Sequence, residues 1–476
     1  MAVFDKFHDE CAVMGVYGHP EAANMVYLGL YALQHRGQES SGIVSSDGKV
    51  LISHRQMGLV ADIFKEDIIK RLDGFGAIGH NRYSTTGQSH LKNAQPFVVE
   101  YAYGPIAISH NGNLVNAEVL REELESCGSI FQSTSDTEVI IHLIATSKET
   151  TLMGRIVEAL SRAKGSYSLL FLTVDRMIAA RDPRGFRPLI VGKFQSGGNG
   201  GGYVVASESC ALDLIEAEYL REVEPGEILT FSPEGMTSLK PFPPAAPAKC
   251  IFEYIYFSRP DSNLYGHNVY QVRKELGRQL ARESPVEADL VTPVPDSGVP
   301  AAMGYAEESR LPLEFGLIRN HYVGRTFIEP QRSIRHFGVK IKLNAQREVL
   351  KGKRVVVVDD SIVRGTTSRK IIRMLRDAGA KEVHLRISSP PTISPCYYGI
   401  DTPTRAELIA SSTSVEQIRS FIEADTLNYL SREGMYVFLD GRTEGFCDAC
   451  FSANYPVHFD DEGHTRQLHL FEALNR

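Results

Sequence analysis

Two adjacent carboxylates and a run of hydroxyls stand where a buried strand meets a helix. The stretch is Val355-Val-Val-Val-Asp-Asp-Ser-Ile-Val-Arg-Gly-Thr-Thr-Ser368. Asp359 and Asp360 suit ribose hydroxyls or Mg²⁺, which carboxylate oxygens bind well. The residues after them suit a phosphate held by backbone N–H groups at a helix N-terminus. These residues are Arg364, Gly365, Thr366, Thr367 and Ser368. The pattern predicts a phosphate- and ribose-binding loop. The alternative is a solvated acidic turn before an ordinary helix.

The elements around this loop are predicted from hydrophobic periodicity. Four consecutive valines indicate a strand buried on both faces, as in the middle of a parallel sheet. A helix follows to about Ala378 and stops at Gly379, and Val383–Ile387 alternates as the next strand. The result is a βαβ unit whose ligand site lies at the carboxyl edge of the sheet.

A second group of chemically capable residues lies in the first half of the chain. Cys11–Tyr17 is a short apolar strand that begins at a cysteine. Polar, glycine-punctuated loops then recur after apolar segments, which is how sites are placed on a rigid scaffold. These loops are Gln34–Gly42, Gly79–Gly87, Ser109–Leu114 and Ser133–Glu138. Each loop alone indicates structure rather than catalysis, and a lone cysteine is commonly a small buried hydrophobe.

Composition limits the class of protein. A chain of 476 residues predicts two or three domains. A net charge of −7 without a long basic run argues against a nucleic-acid partner. No apolar run approaches ~20 residues, so no membrane span is expected. The first ten residues match neither a secretory signal nor an Arg-rich transit peptide. Seven cysteines then favour a reduced compartment, and we expect a cytoplasmic protein.

A Pro- and Ala-rich stretch, Lys240–Lys249, is the best linker in the chain. The second half opens at Cys250 and continues with a predicted helix over Val269–Glu283. Ala288–Pro300 follows as a strand, a Pro/Gly loop and the start of a helix from about Ala301.

The carboxylate and hydroxyl loop resembles the phosphoribosyl pyrophosphate (PRPP) motif of the type I phosphoribosyltransferases, which are doubly wound parallel-sheet proteins. The resemblance implies that Asp359 and Asp360 hold the ribose hydroxyls and that the loop to Ser368 holds the 5-phosphate.

The same family implies two further loops in the second half. Asp296, Ser297 and Gly298 would form a pyrophosphate loop, and Mg²⁺, one per subunit, would lie on Ser297, Asp359 and Asp360. A flexible loop over Val323–Arg332 and Lys340 would close over PRPP, with Arg325 and Lys340 as contacts. The alternative is an exposed basic loop.

The loops of the first half together resemble the class II (N-terminal nucleophile) glutamine amidotransferases, which are αββα sandwiches. The resemblance implies that Cys11 is the nucleophile, exposed by removal of a ten-residue propeptide, with its own α-amino group as the base. Asn111 and the backbone N–H of Gly112 would stabilise the oxyanion.

The same resemblance assigns the contacts of the glutamine substrate. Arg82 would hold the α-carboxylate, a role that suits a bidentate guanidinium. Asp136 would hold the α-amino group. Arg36, in the matching loop near the nucleophile, would complete the glutamine-binding set.

The remaining cysteines are divided by motif. Cys250, Cys396, Cys447 and Cys450 could hold either Zn²⁺ or a [4Fe–4S] cluster, and spacing alone does not choose between them. Resemblance to one branch of the glutamine phosphoribosyl amidotransferases implies the cluster, one per subunit. Cys127 and Cys210 match no motif and are predicted to be buried structural residues.

Both halves together resemble the glutamine PRPP amidotransferases of purine synthesis. The implied domains are a propeptide (1–10), a glutamine amidotransferase (11–240), a linker (241–249), a phosphoribosyltransferase (250–442) and a cluster-binding segment (443–476). The resemblance further implies a homotetramer inhibited by purine nucleotides of the AMP and GMP type. The alternatives are a PRPP-sensing regulator and a salvage phosphoribosyltransferase.

Overall fold

The computed structural model describes six parts of the chain: residues 8–9, 11–83, 90–195, 201–320, 343–402 and 404–457. Arg325 and Lys340, predicted to contact PRPP from a flexible loop, lie outside the described residues. The end of the C-terminal segment, residues 458–476, also lies outside them.

Two antiparallel sheets form the centre of the N-terminal half. The first has the strand order β12-β10-β11-β2-β5-β3-β4 and the second has the order β14-β13-β9-β8-β7-β6. The strands of this half are β1 (His8–Asp9), β2 (Cys11–Tyr17), β3 (Ser40–Ser46), β4 (Leu51–Met57), β5 (Gly76–Arg82), β6 (Phe97–Tyr101), β7 (Gly104–Leu114), β8 (Gly165–Leu172), β9 (Met177–Arg181), β10 (Ile190–Phe194), β11 (Tyr203–Ala206), β12 (Ala217–Glu222), β13 (Ile228–Ser232) and β14 (Gly235–Leu239).

Helices cover the outer faces of both sheets. They are α1 (Ala22–Ala32), α2 (Val60–Ile63), α3 (Glu66–Ile69), α4 (Ala117–Ser126), α5 (Asp136–Thr146), α6 (Leu152–Arg162) and α7 (Cys210–Leu214). All residues of strand β2 are buried, although its side chains alternate in direction. The reason is that each face of the strand lies against a core. Val13 and Tyr17 point into the core between the two sheets. Met14 and Val16 point into the core beneath α1. The predicted αββα sandwich is confirmed.

A parallel sheet forms the centre of the C-terminal half, with the order β18-β21-β22-β24. The strands of this half are β15 (Lys249–Cys250), β16 (Asn263–Leu264), β17 (His267–Asn268), β18 (Leu290–Pro293), β19 (Leu317–Arg319), β20 (Leu343–Ala345), β21 (Arg354–Asp359), β22 (Glu382–Ile387), β23 (Ile400–Asp401), β24 (Thr426–Tyr429) and β25 (Phe446–Cys447).

Helices pack on both faces of this sheet. They are α8 (Val269–Glu283), α9 (Val299–Ser309), α10 (Arg347–Leu350), α11 (Thr366–Asp377), α12 (Val415–Ile422) and α13 (Ala449–Ser452). The side chains of β21 divide between the two resulting cores: Val356 and Val358 enter one, and Val355 and Val357 enter the other. All four are fully buried, which confirms a central strand with a doubly wound arrangement around it.

The helix predictions differ from the structure mainly at their ends. Helix α8 has the predicted bounds, Val269–Glu283. Helix α9, predicted from about Ala301, begins at Val299 instead. Cys127 was expected to be buried, and this expectation is wrong, because the residue follows the last turn of α4 and is exposed. Cys210 is buried as predicted.

The two halves meet in several places. β1 pairs with β23, so the backbone just before Cys11 lies along the C-terminal half. The residues between β14 and β15, which include the stretch predicted as a linker, form no regular element. None of the helices in the described parts is long and apolar enough to cross a membrane.

Candidate active sites

Cys11 and Arg82 lie side by side at one end of the first sheet. Cys11 begins β2, Arg82 ends β5, and the two residues are directly opposite each other in the antiparallel register. Both are nearly buried, with 8% and 5% of their surfaces exposed. The Nη1 atom of Arg82 lies 3.7 Å from Oε2 of Glu39. The sheet therefore places a guanidinium next to the candidate nucleophile.

Asn111 approaches Cys11 from the facing sheet. It lies on β7, which packs against β2 across the sandwich. The Ser207 hydroxyl connects the two strands, since it accepts the backbone N–H of Val13 at 3.0 Å and lies 3.5 Å from Nδ2 of Asn111. Asn111 is fully buried, and within the described residues its Oδ1 has no hydrogen-bond partner. Ser207 was not predicted, and no local sequence pattern indicates it.

Gly112 can only be glycine at this position. Its φ is +152°, and an added Cβ would lie 2.2 Å from the carbonyl oxygen of Ser166 on β8. Because glycine has no side chain, the backbone of β7 can run this close to β8. The close approach occurs at the residue directly after the buried Asn111.

Asp136 begins α5 and ties the end of β7 to that helix. Its Oδ2 accepts the backbone N–H of Leu114 at 3.0 Å, and its Oδ1 lies 3.6 Å from Nδ1 of His110. Burial by itself raises the pKa of Asp136, but His110 and the amides of Leu114 and Thr137 hold it below its ordinary value. The side chain is therefore an anion at neutral pH. His110 was not predicted, although it stands inside the quoted loop Ser109–Leu114.

Arg36 does not join the glutamine-binding residues. Its guanidinium is fully buried against Glu208 and Glu253, with Nη2 2.5 Å from Oε2 of Glu253. Burial alone raises the pKa of both carboxyls, but Arg36 and Arg187 hold the pKa of Glu253 below its usual range. Arg36 likewise lowers the pKa of Glu208. Since these carboxylates take up the side chain, a contact between Arg36 and glutamine is not proposed further.

The acid pair of the second half lies at the carboxyl end of β21. Asp359 and Asp360 are 2% and 1% exposed. Oδ1 of Asp359 accepts the backbone N–H of Asp360 at 2.9 Å. Asp360 accepts two hydroxyls, from Ser361 at 2.6 Å and from Ser297 on the neighbouring loop. The sequence-predicted residues Ser297 and Asp360 are thus brought together by the fold.

The loop after β18 and the loop before α11 flank the acid pair. Gly298 lies so close to β21 that a Cβ would be 2.5 Å from the carbonyl oxygen of Val358. Asp296 is exposed and paired with Arg319. Gly365 has φ +78° and caps α11.

Three of the remaining predicted contacts are the residues of the first turn of α11. Thr366 is exposed, and Thr367 and Ser368 are buried. Arg364, just before the turn, is exposed and its Nη2 lies 2.9 Å from Oε1 of Glu407. The predicted phosphate loop therefore presents a helix N-terminus beside the acid pair.

Four cysteines from three distant segments gather near the boundary between the halves. Cys250 and Cys447 are partners in the parallel pair β15–β25. The backbone oxygen of Cys450 accepts the N–H groups of Ile393 and Ser394, which precede Cys396. Burial, together with the neighbouring thiols, raises the pKa of Cys447 and Cys450 well above the usual value. Within the described residues, no three His, Cys, Asp or Glu side chains converge at metal-ligand spacing.

Family models match both halves. Residues 80–213 match the glutamine amidotransferase domain, and residues 262–388 match the phosphoribosyl transferase domain. The chain is similar to the amidophosphoribosyltransferase of Bacillus subtilis, with 53% identity over 479 residues that cover 100% of this chain and 99% of the relative. Amidophosphoribosyltransferase 1, chloroplastic, of Arabidopsis thaliana is 55% identical, covering 95% of this chain and 80% of the relative.

Solved structures agree with these matches. One, described as the glutamine PRPP amidotransferase of B. subtilis complexed with ADP and GMP, superposes with a TM-score of 0.89 at 53% identity, covering 95% of this chain and 98% of the other. Another, described as the allosteric regulatory enzyme of purine biosynthesis, has a TM-score of 0.90 at 52% identity, covering 95% and 97%.

The fold and the two sites define a glutamine-dependent transferase with a phosphoribosyltransferase half. The chain belongs to the amidophosphoribosyltransferase family. Its reaction converts PRPP, glutamine and water into 5-phosphoribosylamine, glutamate and pyrophosphate, in purine biosynthesis. The two alternatives, a PRPP-sensing regulator and a salvage phosphoribosyltransferase, find no support among these relatives.

Proposed function

We propose that the two halves catalyse consecutive steps, with ammonia made at Cys11 and consumed at Asp359 and Asp360. The observation that carries this assignment is the register pairing of Cys11 with Arg82, with Asn111 beside it through Ser207. Cys11, Arg82 and Asn111 supply a thiol, a guanidinium and an amide donor on neighbouring strands, and all three residues are buried.

The first step is attack of the Cys11 thiolate on the carboxamide carbon of glutamine. The nitrogen of Cys11 is a peptide amide while residues 1–10 remain attached, and their removal gives an α-amino group that can take the thiol proton. Collapse of the tetrahedral intermediate releases ammonia and leaves a γ-glutamyl thioester, which water cleaves to glutamate. The Asn111 Nδ2 and Gly112 N–H groups donate to the oxyanion.

Two charged side chains orient the glutamine. Arg82 offers parallel N–H donors to the α-carboxylate, which favours bidentate binding. Asp136, whose lowered pKa keeps it ionised, attracts the α-ammonium group. Arg82 and Asp136 would thus anchor the two charged groups on Cα of glutamine, and this would set the position of the carboxamide relative to Cys11.

The second step is displacement of pyrophosphate from C1 of PRPP by ammonia. Asp359 and Asp360 accept the ribose hydroxyls, as Asp360 already accepts the hydroxyls of Ser297 and Ser361. The backbone N–H groups of Gly365–Ser368 hold the 5-phosphate, and Asp296–Gly298 contact the pyrophosphate. Catalysis here comes from positioning rather than from acid–base chemistry.

Metal ions belong to the function of this family. The two carboxylates Asp359 and Asp360 beside the Ser297 hydroxyl fit Mg²⁺, which is bound through one or two carboxylates together with substrate phosphates. One Mg²⁺ per subunit would neutralise charge on the departing pyrophosphate. The residues proposed to hold it are Ser297, Asp359 and Asp360.

A [4Fe–4S] cluster, one per subunit, is the proposed ligand of Cys250, Cys396, Cys447 and Cys450. The donor set fits in its chemistry, because four thiols from three segments neighbour one another, although within the described residues they do not stand at metal-ligand spacing. Their raised pKa values mean that buried thiolates there need a cation to compensate them. Zn²⁺ is the alternative. The proposed role of the cluster is to hold the C-terminal segment against the second half.

Regulation by nucleotides is the last element of the proposal. One similar structure is of a protein complexed with ADP and GMP. We infer that AMP- and GMP-type nucleotides inhibit this enzyme at or near the PRPP site, and that it works as a cytoplasmic homotetramer. Rates of 5-phosphoribosylamine formation that respond to neither nucleotide would contradict the inhibition.

The deciding experiment measures glutamate release by anaerobically purified protein, with and without Mg²⁺ and PRPP. Pyrophosphate released in equal amount to glutamate supports both steps. If glutamate is released but no pyrophosphate forms when PRPP is present, the second step is contradicted. No glutamate from a chain that begins at Cys11, verified by intact mass, would contradict the first.

A further inference from the structure

A fully buried ion cluster crosses the boundary between the two halves. Arg36, Arg187 and Glu208 belong to the N-terminal half, and Glu253 belongs to the C-terminal half. All four side chains have no exposed surface. Arg36 contacts both carboxylates, and Nη1 of Arg187 lies 3.2 Å from Oε1 of Glu253. Two positive and two negative charges balance within the cluster.

The segment that carries Glu253 is anchored on its other side. Glu253 begins a single turn of π-helix, Glu253–Phe257. Arg273 on α8 donates to the backbone oxygens of Tyr254 and Ser258, each at 2.7 Å. Ser258 in turn donates to Glu253 at 2.5 Å and accepts from Arg36 at 3.1 Å. The carboxylate of Glu253 is therefore held in one place by its own half.

The chain runs from Arg36 directly to the glutamine site. Gly37 follows Arg36 and lies so close to β5 that a Cβ would be 2.7 Å from the backbone nitrogen of Arg82. Glu39 donates its N–H to the carbonyl oxygen of Arg82 at 3.0 Å, and its carboxylate faces the Arg82 guanidinium. The position of the Gly37–Glu39 segment thus fixes the position of Arg82.

The buried charges limit how far the Arg36 side chain can move. Buried guanidinium groups are tolerated only while counter-charges offset them, so loss of the Glu253 charge would leave Arg36 and Arg187 with Glu208 as the remaining carboxylate of the cluster. Removing the Glu253 charge would let Arg36 shift, and Gly37–Glu39 would shift with it.

We propose that Glu253, from the phosphoribosyltransferase half, is a positioning residue of the glutamine site, acting through Arg36 on Arg82. The inference deepens the proposed glutaminase step and rests on it. Glu253 contacts neither glutamine nor PRPP in this assignment.

The test is Glu253→Gln in the full chain, matured to Cys11. Glutamate release is followed against glutamine concentration, and pyrophosphate release is followed with ammonium salt in place of glutamine. We expect the KM for glutamine to rise about tenfold or more, with kcat changed much less, because a displaced Arg82 weakens substrate binding. Ammonia-dependent pyrophosphate release should stay within about twofold of the parent.

Two further variants keep the test decisive. Ser258→Ala removes only the hydroxyl between Arg36 and Glu253, so it is the milder probe if Glu253→Gln folds poorly, and it should raise the glutamine KM in the same direction. Glu227→Gln is the matched control, because Glu227 is also buried and bonded twice by an arginine, Arg221, at 2.7 and 2.8 Å. Its glutamine KM should not change.

A parental glutamine KM in both Glu253→Gln and Ser258→Ala would overturn the inference. Equal losses of glutamine- and ammonia-dependent activity in Glu253→Gln would also overturn it, because they would indicate general damage. Absence of glutamate release by the parent enzyme would instead refute the proposed glutaminase step itself.

Discussion

Cys11 and Arg82 face each other across the antiparallel pair β2–β5, at the point where β2 begins and β5 ends. The pairing places a thiol and a guanidinium on adjacent strands of a sheet that is buried on both faces. Because both residues are paired in the sheet register, the strands place their backbones, while the Arg82 guanidinium is also positioned by Glu39.

Replacing Cys11 by alanine should separate the two halves of the reaction. Glutamate release and glutamine-dependent synthesis should fall to background, since no other described side chain is assigned as nucleophile. Ammonium-dependent pyrophosphate release should remain. Cys127→Ala is the control, since Cys127 is exposed on α4 and should keep both activities. Residual glutamate release by Cys11→Ala would contradict the assignment.

Gly112→Ala should damage the oxyanion site. The new Cβ would lie 2.2 Å from the Ser166 carbonyl oxygen, so the β7 backbone must move and its N–H group with it. We expect glutaminase kcat to fall by about 10²–10³, the usual effect of losing one oxyanion donor. Gly104→Ala is matched, since Gly104 lies on the same strand at φ +100° with nothing within 4 Å of its Cβ position. If both variants lose kcat equally, the oxyanion role is wrong.

Asp360→Asn should affect the second half alone. The change removes the charge that is proposed to bind the ribose hydroxyls and Mg²⁺. We therefore expect kcat/KM for PRPP to fall by about 10² or more, with either glutamine or ammonia as nitrogen donor. Glutamate release measured without PRPP should persist. Asp377→Asn, an exposed residue at the end of α11, should change neither. Loss of glutamate release in Asp360→Asn without PRPP would count against separate sites.

His80 should make the N-terminal half sensitive to acid. Burial lowers the pKa of His80 to about 3, because a charged ring cannot be hydrated there. Nε2 contacts the His110 carbonyl oxygen at 2.9 Å, and the buried Nδ1 has no hydrogen-bond partner among the described residues. A proton on Nδ1 would therefore be unpaired. The unfolded chain binds that proton near the ordinary pKa, about 6.5, so stability falls as pH drops from about 6.5 towards about 3.

The expected size of this effect follows from the shift. Between about pH 8 and about pH 5, His80 should remove about 2 kcal/mol from the free energy of unfolding. Denaturant titrations of His80→Gln should show a flatter pH dependence by that amount, while the exposed His90→Gln should follow the parent. An unchanged slope in His80→Gln would show that other groups control acid stability.

Cys450→Ser should remove the proposed cluster. Iron and acid-labile sulfide are measured per subunit in anaerobically purified protein, so the result does not depend on activity. We expect about four iron atoms in the parent and a loss of most of them in the variant. Cys127→Ser should retain the parental content. Zinc in place of iron in the parent would favour the alternative metal.

Continuous stretches were predictable from the sequence because their information is local. The strand Val355–Val358, the acid pair and the helix after Gly365 lie within one run, and apolar periodicity with turn chemistry determines each of them. Helix α8 was predicted with its bounds for the same reason. The start of α9 was predicted two residues late, at about Ala301 rather than at Val299.

Arg36 shows where sequence reasoning fails. Its loop suggested glutamine binding, but its partners Glu208 and Glu253 are 172 and 217 residues away in the chain. One signal was available, since Glu253 is a single carboxylate inside the apolar run Ile251–Phe257. A buried charge of this kind requires a partner, though the sequence does not say which.

The sequence alone identified the two kinds of half, the candidate nucleophile and the PRPP loop through local motifs that resemble known families, and apolar periodicity predicted the strands and helices around them. Only the tertiary structure decided which of these residues meet. It paired Cys11 with Arg82, joined Ser297 to Asp360 and carried Arg36 to the boundary. The physical reason is that strand register, sheet packing and the pairing of buried charges are contacts between distant segments, which the whole fold selects together.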